Sequence, residues 1–204
     1  MPEPQPWTRC QTLVLASASP RRREILRAAG IPFKVLPTAV PEVQKPGESP
    51  RDFVRRLAEE KAFAAKRMLG KEATAPVLAA DTAVVIGRET LGKPTSPEDA
   101  TRMLRRLSGR EHRVLTGLCL LSRDGITIKK DVRVASTVVK FRVLTDREIE
   151  NYVKTKEPLD KAGAYAIQGL ASKYVDGIRG CYFNVVGLPV SLLYRMLKRA
   201  NLLV

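Results

Sequence analysis

Apolar positions along this chain fall into short continuous runs and into helical stripes, and the two patterns alternate. The run "TLVLAS" (12–17) predicts a short buried strand. Ser19 then suits a helix cap, and Pro20 suits the first turn, where a missing amide proton costs little. Ile25, Leu26 and Ala29 form an apolar stripe that Gly30 ends. "FKVLP" (33–37) predicts a second strand, and 38–48 a polar, proline-containing loop. Ser49, Pro50 and Asp52 carry a capping signature. Phe53, Leu57, Ala62 and Ala65 then predict a long amphipathic helix ending near Gly70.

The pattern continues in the same manner. "PVLAADTAVVIG" (76–87) predicts an apolar strand interrupted by one acid, Asp81, and Gly87 and Gly92 flank a tight turn or ribbon. Ser96, Pro97 and Asp99 open a helix that reaches Leu107. Residues 112–121 and 126–143 predict two long strands around the turn signal "RDGI". Thr145 and Glu148 suggest a capping box and a short helix to about Lys154. Residues 155–173 fit no regular period and are expected to form an ordered functional loop. "KYVDGIRGCYFNVVG" predicts one or two strands around turns, and "LPVSLLYRMLKRANLL" an amphipathic closing helix. The sum is an α/β fold, with a mixed twisted sheet and flanking helices. Residues 12–204 are expected to form a single domain with two lobes, and 1–11 a flexible N-terminal extension.

Composition narrows the function. A net charge of +15 over 204 residues favours polyanionic partners: nucleic acid, an anionic surface or a phosphorylated small molecule. The aromatic share of 5% leaves little for a base-stacking platform, which argues against nucleic acid as the main partner. Cys10, Cys119 and Cys181 are far apart and lack a nearby histidine pairing for zinc. No apolar stretch approaches the roughly 20 residues that span a bilayer, and the start lacks a signal-peptide core, so no membrane and a cytoplasmic location are expected.

Candidate chemistry gathers at three places. In "LASASPRRREILRAAG" (15–30), a strand, a small-residue turn and a helix start leave backbone amides free for an anion. Arg21, Arg22 and Arg23 follow, with guanidinium forks suited to phosphate. The bland alternative is a routine Ser19 cap with arginines facing water. Asp81 sits where full burial would make a carboxylate costly. If the strand ends there, it lies at the carboxyl end, where α/β sheets often place ligands; as an edge acid it would need no function. Thr82 could touch substrate or simply occupy a strand surface. Lys61 lies in a charge-rich helix and is expected to be solvent-exposed. Lys93 follows Gly92 at a turn, Glu42 is an isolated loop acid, and Gln168 could read a base edge or bond backbone. His112 is the sole histidine and reads as structural, while Tyr165, Tyr182 and Phe183 are expected to pack.

The segments "LASASPRRREIL", "RLAEEKA", "AADTAVV", "LGKP", "LSGREHRVLTG", "PLDKAGAYAIQG" and "NVVGLP", in this order, resemble the Maf family of nucleoside triphosphate pyrophosphatases. The resemblance implies a cleft like that of inosine triphosphate pyrophosphatases, a homodimer, and a divalent cation, Mg²⁺ or Mn²⁺. It implies cleavage of a nucleoside triphosphate between the α and β phosphates. It assigns proton acceptance to Asp81 and nucleotide selectivity to Arg21, Thr82 and Gln168. Ser17 and Ser19 would lie in the anion-binding turn, Lys61 and Lys93 near phosphates or the attacking water, and Glu42 would share a metal environment with Asp81. "DKAGAYAIQG" looks like the dTTP/UTP branch; the alternatives are the branch acting on 7-methyl-GTP and, in another class, a basic nucleic-acid-binding or division-associated interaction protein.

Overall fold

A computed structural model describes residues 10–70 and 73–203. The first apolar run forms β1 (Leu13–Leu15), buried throughout, and Pro20 opens α1 (Pro20–Ala28). Ser19 does not cap that helix with its side chain; its own N–H instead donates to Ser17 Oγ at 3.3 Å. β2 (Phe33–Val35) is shorter than the apolar stretch that predicts it. α2 (Pro50–Leu69) begins as expected, with the Ser49 hydroxyl accepting from Asp52 N–H. β3 (Val77–Ile86) leads through a turn to β4 (Glu89–Leu91), and α3 (Pro97–Leu107) follows a Ser96 cap.

The long hairpin is β5 (Glu111–Asp124) and β6 (Thr127–Phe141), and α4 (Asp146–Lys154) carries the full Thr145–Glu148 capping box. Residues 157–174 wind through three short 3₁₀ turns, an ordered loop as expected. β7 (Val175–Arg179) is the strand predicted near there, but the following residues form a helical turn, α5 (Tyr182–Val186), not a second strand. The physical reason is the turn ahead of it. Gly180 adopts φ of +128° and Cys181 N–H bonds Thr137 Oγ1 of β6, which directs the chain across the sheet rather than along it. Tyr182 and Phe183, expected to pack, are consequently exposed. α6 (Val190–Arg199) closes the described fold. The extension expected at 1–11 falls mainly on residues 1–9, outside the described residues.

The seven strands form one mixed sheet, ordered β2-β1-β3-β5-β6-β7, with β4 also beside β3. β1 runs parallel to β2 and β3, and the remaining pairs are antiparallel. Helices α1 and α6 cover one face, and their core includes Leu78 and Ala80 of β3. α2 covers the other, over Ala79 and Ala83. Gly117 of β5 permits its close approach: a Cβ there would stand 2.2 Å from the Val54 carbonyl oxygen. A further cluster packs α3, α4 and the 3₁₀ loop around Phe141 and Tyr174.

One edge of β3 explains the site. β1 pairs only with Val77 and Leu78, and β4 only with Val84–Ile86. Among the described residues, no strand pairs with 79–83 on that edge. The sheet is notched there while β3 itself runs on, still fully bonded to β5 on its other side.

Candidate active site

The notch opens into a cleft of about 410 Å³. Nine residues singled out by the sequence line it: Ser17, Ser19, Arg21, Glu42, Lys61, Asp81, Thr82, Lys93 and Gln168. Asp81 is not at the end of its strand, as one reading of the sequence expected. It lies mid-strand because apolar residues continue on both faces after it, so β3 propagates and it is the neighbouring strand that stops. Strand alternation places Asp81 on the α2 face and Thr82 on the α1 face, and both reach the gap.

Lys61 is not solvent-exposed. At 8% exposure it projects from the buried stripe of α2, and its ammonium donates to Asp81 Oδ1 and to Glu42 Oε1, both at 2.6 Å. Lys93 Nζ stands 3.9 Å from Glu42 Oε2. The two carboxyls are driven apart in acidity. Burial raises the Asp81 carboxyl above the ordinary aspartate value, against the pull of Lys61 and Arg22. Burial also works against the Glu42 charge, but the Lys61 hydrogen bond and the nearby cations outweigh it and hold that carboxyl below its usual range. An acid held up and an acid held down in one cleft is a recurring arrangement for proton transfer.

Arg22 is not a phosphate arm but an internal clamp. Nε donates to Gly187 O at 2.9 Å, Nη1 to Ser17 Oγ at 2.9 Å and Ala80 O at 2.8 Å, and Nη2 to Thr82 Oγ1 at 3.1 Å. It thereby joins the turn between β1 and α1, the open edge of β3 and the turn after α5. Sequence reading did not single it out from its arginine neighbours. Its partners lie up to 165 positions away, so no local signal could have found it.

The cleft lining combines polar and cationic side chains, Ser17, Ser19, Arg21, Lys61 and Lys93, with apolar and aromatic ones, Val84, Val114, Tyr165 and Ile167. Gln168 and Arg21 border it with Asp160 and Lys161. His112 lies outside it, 2% exposed, packed edge-on against Phe141 and Tyr165 and bonded to the Tyr165 hydroxyl at 2.8 Å. Burial lowers its pKa to about 4, so it is neutral at pH 7 and structural, as expected.

No group of three or more metal-ligating side chains occurs among the described residues. Glu42 and Asp81 nonetheless fit one mode of Mg²⁺ binding, in which one or two carboxylates supply part of the shell and substrate phosphates and water the rest. An all-protein cage is not what this donor set offers.

A cleft whose lining combines cationic and apolar side chains around a buried carboxylate has the chemistry to take a phosphorylated ligand with an apolar portion. The profile of Maf-like proteins matches residues 12–200, and the chain belongs to that family. It is 48% identical over 191 residues to a dTTP/UTP pyrophosphatase of Koribacter versatilis, covering 94% of this chain and 95% of that one. A dTTP/UTP pyrophosphatase of Anaeromyxobacter dehalogenans is 52% identical over 190 residues, covering 93% and 94%. Among solved structures, the Ham1 protein of Staphylococcus aureus is similar with a TM-score of 0.49 at 15% identity, over 93% of this chain and 99% of that one. No helix among the described residues is long and apolar enough to cross a membrane.

Proposed function

We propose that this chain hydrolyses dTTP and UTP to the nucleoside monophosphate and pyrophosphate. The observation that carries the reading is Asp81: a buried carboxylate with raised pKa, bonded to Lys61, on the stretch of β3 that β1 and β4 leave unpaired, in the wall of the cleft. The two relatives described above, both dTTP/UTP pyrophosphatases, support the same substrates.

In this reading the triphosphate lies against the cationic and hydroxyl lining of the cleft. Ser17, Ser19 and the first amides of α1 receive phosphate oxygens, with Arg21 and Lys93 opposing their charge. Asp81 accepts a proton from the water that attacks the α-phosphorus, and its raised pKa makes it a better acceptor than an exposed aspartate. Lys61 holds that carboxylate in place and offers positive charge as negative charge develops on the phosphoryl oxygens. Glu42 and Asp81 would hold the divalent ion, which supplies charge neutralisation on the phosphates and a more acidic water. The base packs on the apolar lining of the cleft, and Gln168 and Thr82 select it. The chain acts as one unit of residues 12–204 and pairs as a homodimer, which light scattering can measure.

The test is product analysis with dTTP, UTP, CTP, GTP and 7-methyl-GTP, each with Mg²⁺, Mn²⁺ or chelator. Pyrophosphate as the first product, fastest from dTTP and UTP, is expected. Orthophosphate as the first product, or faster turnover of 7-methyl-GTP, overturns it.

A further inference from the structure

We propose that two copies of this chain pair through the open edge of β6, strand against antiparallel strand, about a two-fold axis at Val132. The inference rests on the homodimer proposed above and names its surface.

β6 runs from Thr127 to Phe141, but β7 pairs only with 138–141 of it. Among the described residues, no strand pairs with 127–137 on that edge. The turn fixes the backbone phase there. Gly125, at φ of +58°, and Ile126 form a two-residue loop, with Asp124 opposite Thr127. The residues flanking such a loop exchange both backbone bonds, so Thr127 and every second residue after it face β5. Lys130, Val132 and Val134 therefore turn their N–H and C=O groups outward. Gly180 agrees with that phase: a Cβ there would stand 3.3 Å from the carbonyl oxygen of Ser136, the next outward residue. A long edge of this kind is a template for another strand unless something covers it.

The side chains choose the occupant. A two-fold axis sets the residues on either side of it opposite each other in the partner. An axis on Lys130, Asp131 or Arg133 would set that charge against its own copy, which is destabilising. An axis on Val134 would set Asp131 against Thr137, where the Gly180–Cys181 chain stands. With the axis on Val132, Asp131 meets the partner's Arg133, Arg133 meets the partner's Asp131, and Lys130 meets Val134. Residues 131 and 133 then form non-hydrogen-bonded pairs, in which side chains approach most closely. Arg133 is free to make that contact. Its Nε donates to Asp131 Oδ1 of its own strand at 2.6 Å, and neither Nη group is bonded among the described residues. Asp131 is steadied by Arg199 Nη2 at 3.0 Å. The same register carries the turn of each copy, with Ile126 92% exposed, to the end of the partner's β7, where Tyr182 and Phe183 also lie exposed. A second copy thus supplies both the opposite charges and the apolar cover.

Light scattering and sedimentation compare the wild type with Asp131→Arg, Arg133→Asp and an equal mixture of the two variants. Each variant alone sets like charges opposite at both pairs, and its dimer dissociation constant should rise at least about tenfold. In the mixture every pair is again arginine with aspartate, so mixed dimers should form about as tightly as the wild type. Loss of the bonds within one chain cannot produce that rescue. Amide exchange needs no variant: the N–H groups of Lys130, Val132 and Val134 should exchange at least about tenfold more slowly in the dimer than after dilution to the monomer. Variants that dimerise as the wild type does, a mixture no tighter than its components, or fast exchange at these three amides in the dimer overturns the inference. A wild type that stays monomeric overturns the homodimer on which it rests, whether or not it releases pyrophosphate.

Discussion

Replacing Lys61 by methionine tests the electrostatics of the cleft in a protein freed of divalent ions. The two 2.6 Å bonds from one nitrogen hold Glu42 Oε1 and Asp81 Oδ1 within about 5 Å of each other. Without the ammonium, their repulsion amounts to about 3 kcal/mol at an effective dielectric constant of 20, and less than 1 kcal/mol in bulk water. The Glu42 side chain is 47% exposed and screened, whereas the Asp81 side chain is 8% exposed and cannot move into solvent. Asp81 therefore bears the larger share of the loss. Removing one partner of a buried pair typically costs about 3–5 kcal/mol, and the half-exposed glutamate puts this case near the lower end.

Protonating Asp81 relieves that cost, which fixes the sign of the pH dependence. Its folded pKa is already raised by burial and rises further without Lys61. A carboxyl whose folded pKa exceeds its unfolded value destabilises the fold as pH rises from the unfolded value through the folded one. In urea unfolding, Lys61→Met should lie close to the wild type near pH 4 and fall behind by about 3 kcal/mol at pH 8. At about 1.4 kcal/mol for each pH unit, that loss develops over roughly two pH units. The double variant Lys61→Met/Asp81→Asn should recover much of it at pH 8. A deficit equal at both pH values, or a double variant no better than the single one, refutes the reasoning.

Asp81→Asn alone should lower kcat/KM for UTP by about 10²–10⁴, the usual contribution of a positioned base, while circular dichroism stays native. Gln168→Ala should change the ranking of dTTP, UTP and CTP, and a uniform fall in rate on all three would contradict a role at the base. Gly117→Ala forces a methyl to within 2.2 Å of the Val54 carbonyl oxygen, so α2 must shift from the sheet. The expected cost is about 3 kcal/mol or more, read as a lowered Tm. His112 is buried neutral with its pKa lowered to about 4, so the unfolded chain binds its proton first as pH falls. Stability should decline from about pH 6.5 toward pH 4, a decline that His112→Gln should flatten in denaturant titrations.

Much of this architecture is legible in local pattern. The Ser49, Ser96 and Thr145 caps, the paired long strands and the buried run around Asp81 each follow from near neighbours. The Lys61 error is instructive because the signal was present. Buried α2 residues fall at Val54, Ala58, Lys61 and Ala65, spaced by four, three and four, so Lys61 occupies an apolar stripe despite its charged sequence neighbours. A lysine on such a stripe needs a buried anion, and Asp81 needs a buried cation; each anomaly accounts for the other. Arg22 left no comparable trace. Its meaning depends on strand register and on a turn at Gly187, which are tertiary facts.

Register also explains why two adjacent residues of β3 suit different tasks. Successive side chains leave a strand on opposite faces. Asp81 turns toward α2 and receives Lys61, while Thr82 turns toward α1 and receives Arg22. In a continuous sheet the two would be separated by the backbone ladder and could not share a ligand. Here the ladder is interrupted on one edge, because β1 ends before Asp81 and β4 begins after it. One bound molecule can therefore be in reach of both faces at once. Inserting a single residue into β3 ahead of Asp81 would exchange the faces, aiming the carboxylate at the Arg22 clamp and the hydroxyl at Lys61. The arrangement thus requires the strand's length and phase as much as the identity of the side chains it carries.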